Sequence, residues 1–580
     1  MKYDIIIVSY NSTRWLPACV NALAAVEYDK KELNLIIVDN NSPDQSVQLI
    51  EELQKQYTCF GGFELLRQKK NLGFGGGCNA GAAVGSAPFV FMLNVDTEIE
   101  PAAFTEMDRA IAANSGIAGA FEMRQKPYEA GRHNNPVTME CAWNSGACVV
   151  YRRTVYEEVG GFDENMFMYC EDVDISWRIR AKGYKLIYVP RAAVYHFTRR
   201  ADKNKEFHEY TWTAYNKLLM HYKYGDFASI WQGNRDYLCT IRFPTHYDHV
   251  RKVLLKNYLK HFLHLWKFLG WRKKNRDSFD QIPATYIEGF EIMRSLYEYR
   301  PLKEHPLVSI LVRTCDRPDV LRETLKCLRH QTYDNFEVVI EEDGEPTAQK
   351  MIEEEFSDLN ISYEATGIRK GRCIAGNRAL ARAKGAYFNF LDDDDFFYPE
   401  HIEHLLSLFE QHKDADIVHG SYMIYDVDTL SKSPYVYEVK NIRFVPVERV
   451  DLFTMCKRCQ TPILTAMFKR ELYDKMGGLR EDIDTNEDWG MWLRFLTLSP
   501  KYYPTSRATC GFVFPVNGAQ SADKIASYRA NYNKVFDDEK LVFELTGKEL
   551  KDTYNRMLAD IQHYRNIGTL DSYLHDNLQF

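Results

Sequence analysis

Short apolar runs recur along two stretches of the chain, each bounded by polar residues and separated by segments with helical spacing. In the first stretch they fall at residues 5–8, 35–38 and 89–93; in the second at 307–312, 337–340 and 387–391. Runs this short, rich in β-branched and aromatic residues and alternating with helices, predict a mostly parallel sheet covered on both faces. From about residue 205 to 300 the strand pattern vanishes, and aromatic and basic residues appear at helical spacing. The organisation expected is an α/β domain over 1–225, a helical connector over 226–304, a second α/β domain over 305–525 and a helical C-terminal cap over 526–580.

The polar residues that end these runs come in the same order twice. Ser9-Tyr10-Asn11, Asp39, Asn94-Val95-Asp96 and Glu171-Asp172 in the first stretch answer to Thr314-Cys315-Asp316, Asp343, Asp392-Asp393-Asp394-Asp395 and Glu487-Asp488 in the second. A repeat of this size marks an internal duplication. The length of 580 residues is too great for one core and suits two domains plus a connector.

Carboxylates just past the ends of parallel strands face the crevice in which open α/β sheets bind ligands. Asp39 and Asp343 could accept hydrogen bonds from a nucleobase, while a D-x-D-like pair could hold ribose and a divalent cation. Oxygen ligands suit Mg2+ or Mn2+. A single Asp at such a place can equally cap a turn. The run 392–395 differs, because four adjacent carboxylates repel and call for a cation. Glu171-Asp172 and Glu487-Asp488 each open a predicted helix, where the ionised form required of a general base is favoured, although capping alone would place an acid there. The glycine-rich stretch 71–81 precedes the third strand instead of following the first, which argues against a dinucleotide oxidoreductase. Its glycines would let backbone approach a nucleotide sugar.

A net charge of -8 argues against nucleic acid as a partner. The 13 cysteines show neither a paired framework nor metal-ligand spacing, as expected in a reducing cytosol. No charged leader followed by a long apolar stretch precedes the first strand, so neither a signal peptide nor a spanning helix is expected. Charge is uneven, however: residues 251–276 hold nine Lys or Arg and no Asp or Glu, interleaved with Leu, Phe and Trp. Such a segment either packs the two domains together or lies in an anionic membrane interface.

Both stretches resemble family 2 glycosyltransferases of the GT-A fold, the inverting, nucleotide-sugar-dependent class, over most of 3–200 and 306–525. The first is similar to the bacterial rhamnosyltransferase branch in Asn71-Leu72-Gly73-Phe74, Leu93-Asn94-Val95-Asp96, Asn144-Ser145-Gly146-Ala147, Gly160-Gly161-Phe162-Asp163, Glu171-Asp172-Val173-Asp174, Arg178 and His196. The second resembles the general family in residues 373–380, 385–395, Gly477-Gly478-Leu479 and Glu487-Asp488-Trp489. The resemblance implies two Rossmann-like domains. It makes Asp172 and Asp488 the bases, gives Asp96, His196, Asp394 and Asp395 to Mg2+ or Mn2+, and assigns Ser9, Tyr10, Asn11, Asp39, Asn79, Asn94, Thr314, Asp343, Asn377 and Asp392 to the nucleotide sugar. Trp143, Glu171, Glu487 and Trp489 are candidates for the acceptor, with Trp177 a further stacking candidate. The expected donors are UDP- or dTDP-linked sugars, dTDP-rhamnose at the first site. The expected acceptor is a lipid-linked bacterial surface glycan such as lipopolysaccharide or capsule, with the protein cytoplasmic and peripheral on the inner face of the membrane. Two departures stand out. Asn94 replaces the first Asp of D-x-D, and no His follows the second base, where residues 516–521 occupy the expected region. A nucleotidyltransferase would need a basic glycine-rich loop after the first strand, which Ser9-Tyr10-Asn11-Ser12-Thr13-Arg14 does not provide. A non-catalytic second domain stays open.

Overall fold

The computed structural model describes residues 1–129, 134–197, 203–244, 249–274, 297–447, 449–516, 531–532, 534–543 and 547–566. The chain divides into two compact units, Met1–Tyr299 and Arg300–Phe580.

In the first unit the strands are β1 (Tyr3–Ser9), β2 (Leu33–Asp39), β3 (Gly62–Arg67), β4 (Phe89–Leu93), β5 (Thr97–Ile99), β6 (Ala118–Lys126), β7 (Tyr128–Glu129), β8 (Cys148–Arg152), β9 (Lys185–His196) and β10 (Tyr297–Glu298). The main sheet runs β3-β2-β1-β4-β8-β6-β9-β5, with β10 and β7 as a separate pair. In the second unit β11 (Val308–Thr314), β12 (Phe336–Glu342), β13 (Ile361–Ala365), β14 (Tyr387–Phe390), β15 (Phe396–Phe397), β16 (Ile417–Lys432), β17 (Tyr435–Val445), β18 (Ala466–Lys469) and β19 (Tyr502–Pro515) form a sheet ordered β13-β12-β11-β14-β18-β16-β19-β15, with β17 on β16. The two orders correspond strand for strand, so the duplication read from the polar signals extends to topology.

The expectation of a mostly parallel sheet is refined. From β3 to β4 the strands are parallel, but β8 runs antiparallel to both β4 and β6. No crossover helix joins β6 to β8, and only a parallel pair needs one. Side chains of β1, β2 and β4 are nearly all buried, which explains why these runs read as continuously apolar.

The register also corrects one pairing. Ser9 lies opposite Asp39, while Thr314 lies opposite Glu342. The counterpart of Asp39 is therefore Glu342, and Asp343 answers to Asn40.

The helical segment after each sheet folds back onto its own unit. Helix Lys203–Tyr224 buries Tyr215, Leu218, Leu219 and Tyr224 against Met166, Val173 and Trp177, two of which lie on helix Glu171–Ala181. In the second unit Tyr532, Val535 and Phe536 pack on the cluster around Trp489 of helix Glu487–Leu496. In each unit a segment beyond the sheet thus covers the helix that begins with the acid pair. Among the described residues no helix is long and apolar enough to cross a membrane.

Candidate active sites

In the first unit the ends of β1, β2 and β4 open toward the start of helix Glu171–Ala181. Ser9 and Asp39 are buried and adjacent in register. Asp39 accepts a hydrogen bond from the Ser42 amide at 3.1 Å, yet its Oδ1 and the Ser9 Oγ are buried with no protein partner. Two orphaned polar atoms side by side carry a desolvation cost that a polar ligand would relieve. Tyr10 is exposed. Asn11 takes a positive φ of 54°, and its amide donates to Ser42 Oγ at 3.1 Å. Asn94 is pinned through its backbone, its amide donating to the Ala147 carbonyl at 2.8 Å and its carbonyl accepting from Thr97 Oγ1 at 2.6 Å.

Beside Asn94, β5 pairs with β9 so that Thr97 faces His196, bringing His196 Nε2 to 3.3 Å from Asp96 Oδ1. The other ring nitrogen lies 3.0 Å from Gln125 Oε1. The Gln125 amide nitrogen lies 3.5 Å from Glu122, which orients its oxygen toward the histidine. Nδ1 then carries a proton, and Nε2 faces the Asp96 carboxylate. The pair puts one nitrogen and one oxygen side by side, a donor set that suits a divalent ion. Among the described residues no group of three or more His, Cys, Asp or Glu forms a complete cage, leaving further positions to ligand oxygens.

Asp172 sits in the first turn of its helix. Its Oδ2 accepts from the Gly146 amide at 3.0 Å and its Oδ1 from the Val173 amide at 2.9 Å. The loop that supplies Gly146 is held by buried Glu122, which accepts from the Ser145 amide at 2.9 Å and from Asn144 at 3.2 Å. Burial, and then the neighbouring Asp172, push the Glu171 carboxyl well above the usual range. Behind it, Asp174 is fully buried and meets Arg178, Tyr224 and Lys223. Lys223 also bonds Asp163 at 2.8 Å. Although burial opposes it, this set of partners, Arg178 foremost, draws Asp174 down to about 2.

The second site keeps the layout and changes its chemistry. Buried Arg313, on β11 where β1 has Val8, chelates Asp392 at 2.8 and 2.9 Å and reaches Glu487 at 2.9 Å. Arg317 pairs with Asp393 and with Asp394, the latter at 3.0 Å. The cations that the acidic run demands are thus supplied in part by the chain itself, a correction to the expectation that only a bound ion could do so. Burial and the neighbouring acids raise Asp393 to about 7 and Asp395 well above its usual range. Asp395 accepts from the Val513 amide through Oδ1 at 3.0 Å, joining the acidic run to β19. Phe396 faces Gly511, so the register places Phe512 where the first unit has His196. Residues 517–521 of the stretch examined for a histidine lie outside the described residues. Thr314 Oγ1 donates to Asp393 at 2.6 Å. Asp343 accepts from the Lys370 and Gly371 amides at 2.6 and 2.9 Å, and Glu342 from the Ala348 amide at 3.0 Å and the Tyr363 hydroxyl at 2.5 Å. Both Asp343 oxygens thus hold the loop ahead of helix Arg372–Arg382. Asp488 accepts from its neighbour's amide at 2.8 Å. Burial, then Glu487, lift its carboxyl to about 7.

Four further candidate residues make contacts within the fold. Asn79 and Asn377 each clamp a glycine-marked loop: Asn79 exchanges two bonds of 2.9 Å with the Phe162 backbone, and Asn377 bonds the Leu479 carbonyl and amide at 2.9 and 2.7 Å. A Cβ on Gly161 or Gly478 would collide with those amide oxygens at 2.5 or 2.2 Å, so the glycines fit the clamp. Neither asparagine is free for a nucleotide sugar. Trp489 is buried, and its indole donates to the Met455 carbonyl at 2.6 Å; Trp177 is buried edge-on to Tyr224. Both rings belong to the core and offer no stacking face. Trp143 is half-buried beside the same cluster. Gln125, Glu122, Lys223, Arg313 and Arg317 are absent from the sequence reading; an arginine inside the apolar run ending at Thr314 was the one available signal.

A model of Glycosyl transferase family 2 matches residues 4–176 and again 309–476, and a model of Glycosyl transferase family group 2 matches 130–273. An uncharacterized glycosyltransferase of Rickettsia typhi is 29% identical over 280 residues, 46% of this chain and 83% of that protein. One of Rickettsia prowazekii is 28% identical over 34% of this chain and 61% of its own length, so the chain spans less than two thirds of that relative. An N-acetylglucosaminyl-diphospho-decaprenol L-rhamnosyltransferase of Mycobacterium tuberculosis is 46% identical over 61 residues, 10% of this chain and 20% of that protein. Among solved structures, a mannosyltransferase from Pyrobaculum calidifontis in complex with GDP-Man and Mn2+ aligns at 15% identity and a TM-score of 0.33, covering 50% of this chain and 85% of that one.

Proposed function

The chain belongs to glycosyl transferase family 2, matched twice along its length, and on that premise we propose that it is a bifunctional inverting glycosyltransferase. Each site would displace a nucleoside diphosphate from the anomeric carbon of a nucleotide-activated sugar. The base is Asp172 in the first unit and Asp488 in the second. The observation that carries this reading is the repeated carboxylate in the first turn of a largely buried helix in both units, each unit also carrying an acid just past a strand end, Asp96 after β4 and Asp394 after β14.

At the first site Asp172 takes the proton of an acceptor hydroxyl as that oxygen attacks. The Gly146 amide fixes the carboxylate for that transfer. Ser9 Oγ and Asp39 Oδ1 receive the polar edge of the nucleobase. Asp96 and His196 would hold Mg2+ or Mn2+, which when bound supplies charge stabilisation for the departing diphosphate. The short stretch similar to an L-rhamnosyltransferase supports a dTDP-linked rhamnose as donor here. The acceptor is a lipid-linked bacterial surface glycan, met at the cytoplasmic face of the membrane. At the second site the acidic run is engaged by Arg313 and Arg317, and no step there is assigned to a metal.

That arginine pairing, with Phe512 at the place of His196, favours one alternative: a single transferase in the first unit and a sugar-binding module in the second. Release of nucleoside diphosphate across a panel of donors, for wild type, Asp172→Asn and Asp488→Asn, separates the two. Bifunctionality requires each variant to lose a different donor; an Asp488→Asn variant that turns over every donor normally leaves the second unit a binding module.

A further inference from the structure

Helices Phe227–Arg242 and Val250–Lys274 form a hairpin in the first unit. Tyr237 and Tyr258 stack at 5.5 Å, and the Tyr237 hydroxyl donates to the Leu254 carbonyl at 3.0 Å. The inward side is settled by Gly233, Tyr237, Val250 and Leu254, all buried. Large apolar residues lie on the outward side at helical spacing. Phe227 is 85% exposed, Trp231 69% and Leu238 48% on one helix; Leu255 is 49% and Leu259 61% exposed on the other. Single exposed apolar residues are unremarkable on a protein surface, but five along one hairpin are not.

Their charged neighbours identify the occupant. On the second helix the exposed residues Lys252, Leu255, Lys256, Leu259 and Lys260 follow the spacing i, i+3, i+4, i+7, i+8, which puts them on one stripe. The first helix adds Arg235 and Arg242 to the side of Phe227, Trp231 and Leu238. Its acid Asp226 is spent capping the helix, accepting from the Ser229 amide at 2.8 Å, and Asp236 falls off that spacing. A chain with a net charge of -8 therefore gathers cations around Phe227 and Trp231, two strongly exposed aromatic residues.

We propose that this face, centred on Phe227, Trp231, Leu255 and Leu259, docks the first unit on an anionic lipid surface. The aromatic rings enter the headgroup region while Lys252, Lys256 and Lys260 meet the phosphates. A second copy of the chain is a poor occupant, because a symmetric contact would set each lysine row against its own image. The inference rests on the reading that the acceptor is lipid-linked, and it adds which surface carries the enzyme to it. It also moves the centre of contact toward helix Phe227–Arg242, ahead of the basic segment singled out in the sequence.

The test is co-sedimentation of the full chain with vesicles of phosphatidylcholine alone and with phosphatidylglycerol added. Wild type, Phe227→Ser/Trp231→Ser and Lys252→Gln/Lys256→Gln are compared, and donor turnover of each is measured in solution. The expected result is binding to the anionic vesicles only, weakened roughly 30-fold by loss of the two lysines and at least as much by loss of the two rings, with donor turnover unchanged. The proposal is overturned by a wild type that stays in the supernatant, by equal binding to neutral vesicles, by variants that bind like wild type, or by a dimer that the ring substitutions dissociate. Vesicle binding as expected without turnover of any donor leaves the docking face standing and sinks the transferase reading; turnover without vesicle binding does the reverse.

Discussion

Replacing Lys223 by Met removes a fully buried ammonium from between Asp163 and Asp174 while keeping most of its volume. Breaking a buried ion pair from one side costs about 3–5 kcal/mol. Asp174 retains Arg178 at 2.7 Å and the Tyr224 hydroxyl at 2.5 Å, so the loss should lie near the lower bound, about 3 kcal/mol. A second estimate comes from Asp174 itself, held at about 2 against an ordinary 3.8, which is worth about 2 kcal/mol shared among its partners. The carboxyl is depressed in the folded state. Its contribution is therefore complete above pH 4 and disappears as pH falls toward 2. Because two units unfold in one chain, the readout is amide hydrogen exchange in helix Glu171–Ala181, where Lys223→Met should lower protection about 100-fold at pH 7. The same loss of protection should shrink as pH approaches 2, since a protonated Asp174 no longer needs the ammonium. A deficit below about 1 kcal/mol at pH 7, or one unchanged at low pH, would refute the idea that charge pairing ties helix Lys203–Tyr224 to the helix bearing Asp172.

At the first site, Gln125→Leu should reduce Mn2+ affinity about 10- to 100-fold by freeing the tautomer of His196; titration calorimetry with intact affinity would remove Gln125 from the site. The base of the second site is lifted to about 7 and acts only when ionised, so turnover there should rise with pH through about 7. Glu487→Gln removes a like charge and should move that midpoint downward; a pH-independent rate between 5 and about 9 excludes Asp488 as the base. Asn79→Ala and Asn377→Ala should each destabilise their own unit by about 1–3 kcal/mol without changing donor KM. A KM effect with unaltered stability would return these residues to the donor site.

The duplication, the α/β architecture and the positions of Asp96, His196 and Asp172 were legible in the sequence because each depends on local signals: a strand end, a helix start, a motif. Other readings failed where a side chain's role depends on what lies across the fold. Asp343 looked equivalent to Asp39 by position after an apolar run, but a one-residue difference at the strand end, visible only in the β11–β12 register, makes it the partner of a loop. The acidic run looked uncompensated because its arginines are some 75 or more residues away along the chain and adjacent only in space. Trp489 follows the base in sequence, yet helical geometry turns it inward onto Tyr532 and Phe536. The helices after each sheet carried no sign that they return to their own unit, since amphipathic spacing shows a buried face without naming its partner.

The arginine on β11 also limits how one half could be rebuilt into the other. Arg313 and Asp392 stand where the first unit has Val8 and Asn94, so the halves differ at both members of an ion pair. Asp392→Asn alone would leave the buried Arg313 guanidinium with Glu487 as its remaining hydrogen-bonded carboxylate, and a buried charge stripped of one partner is destabilising. Positions 313 and 392 therefore exchange between the halves as one unit.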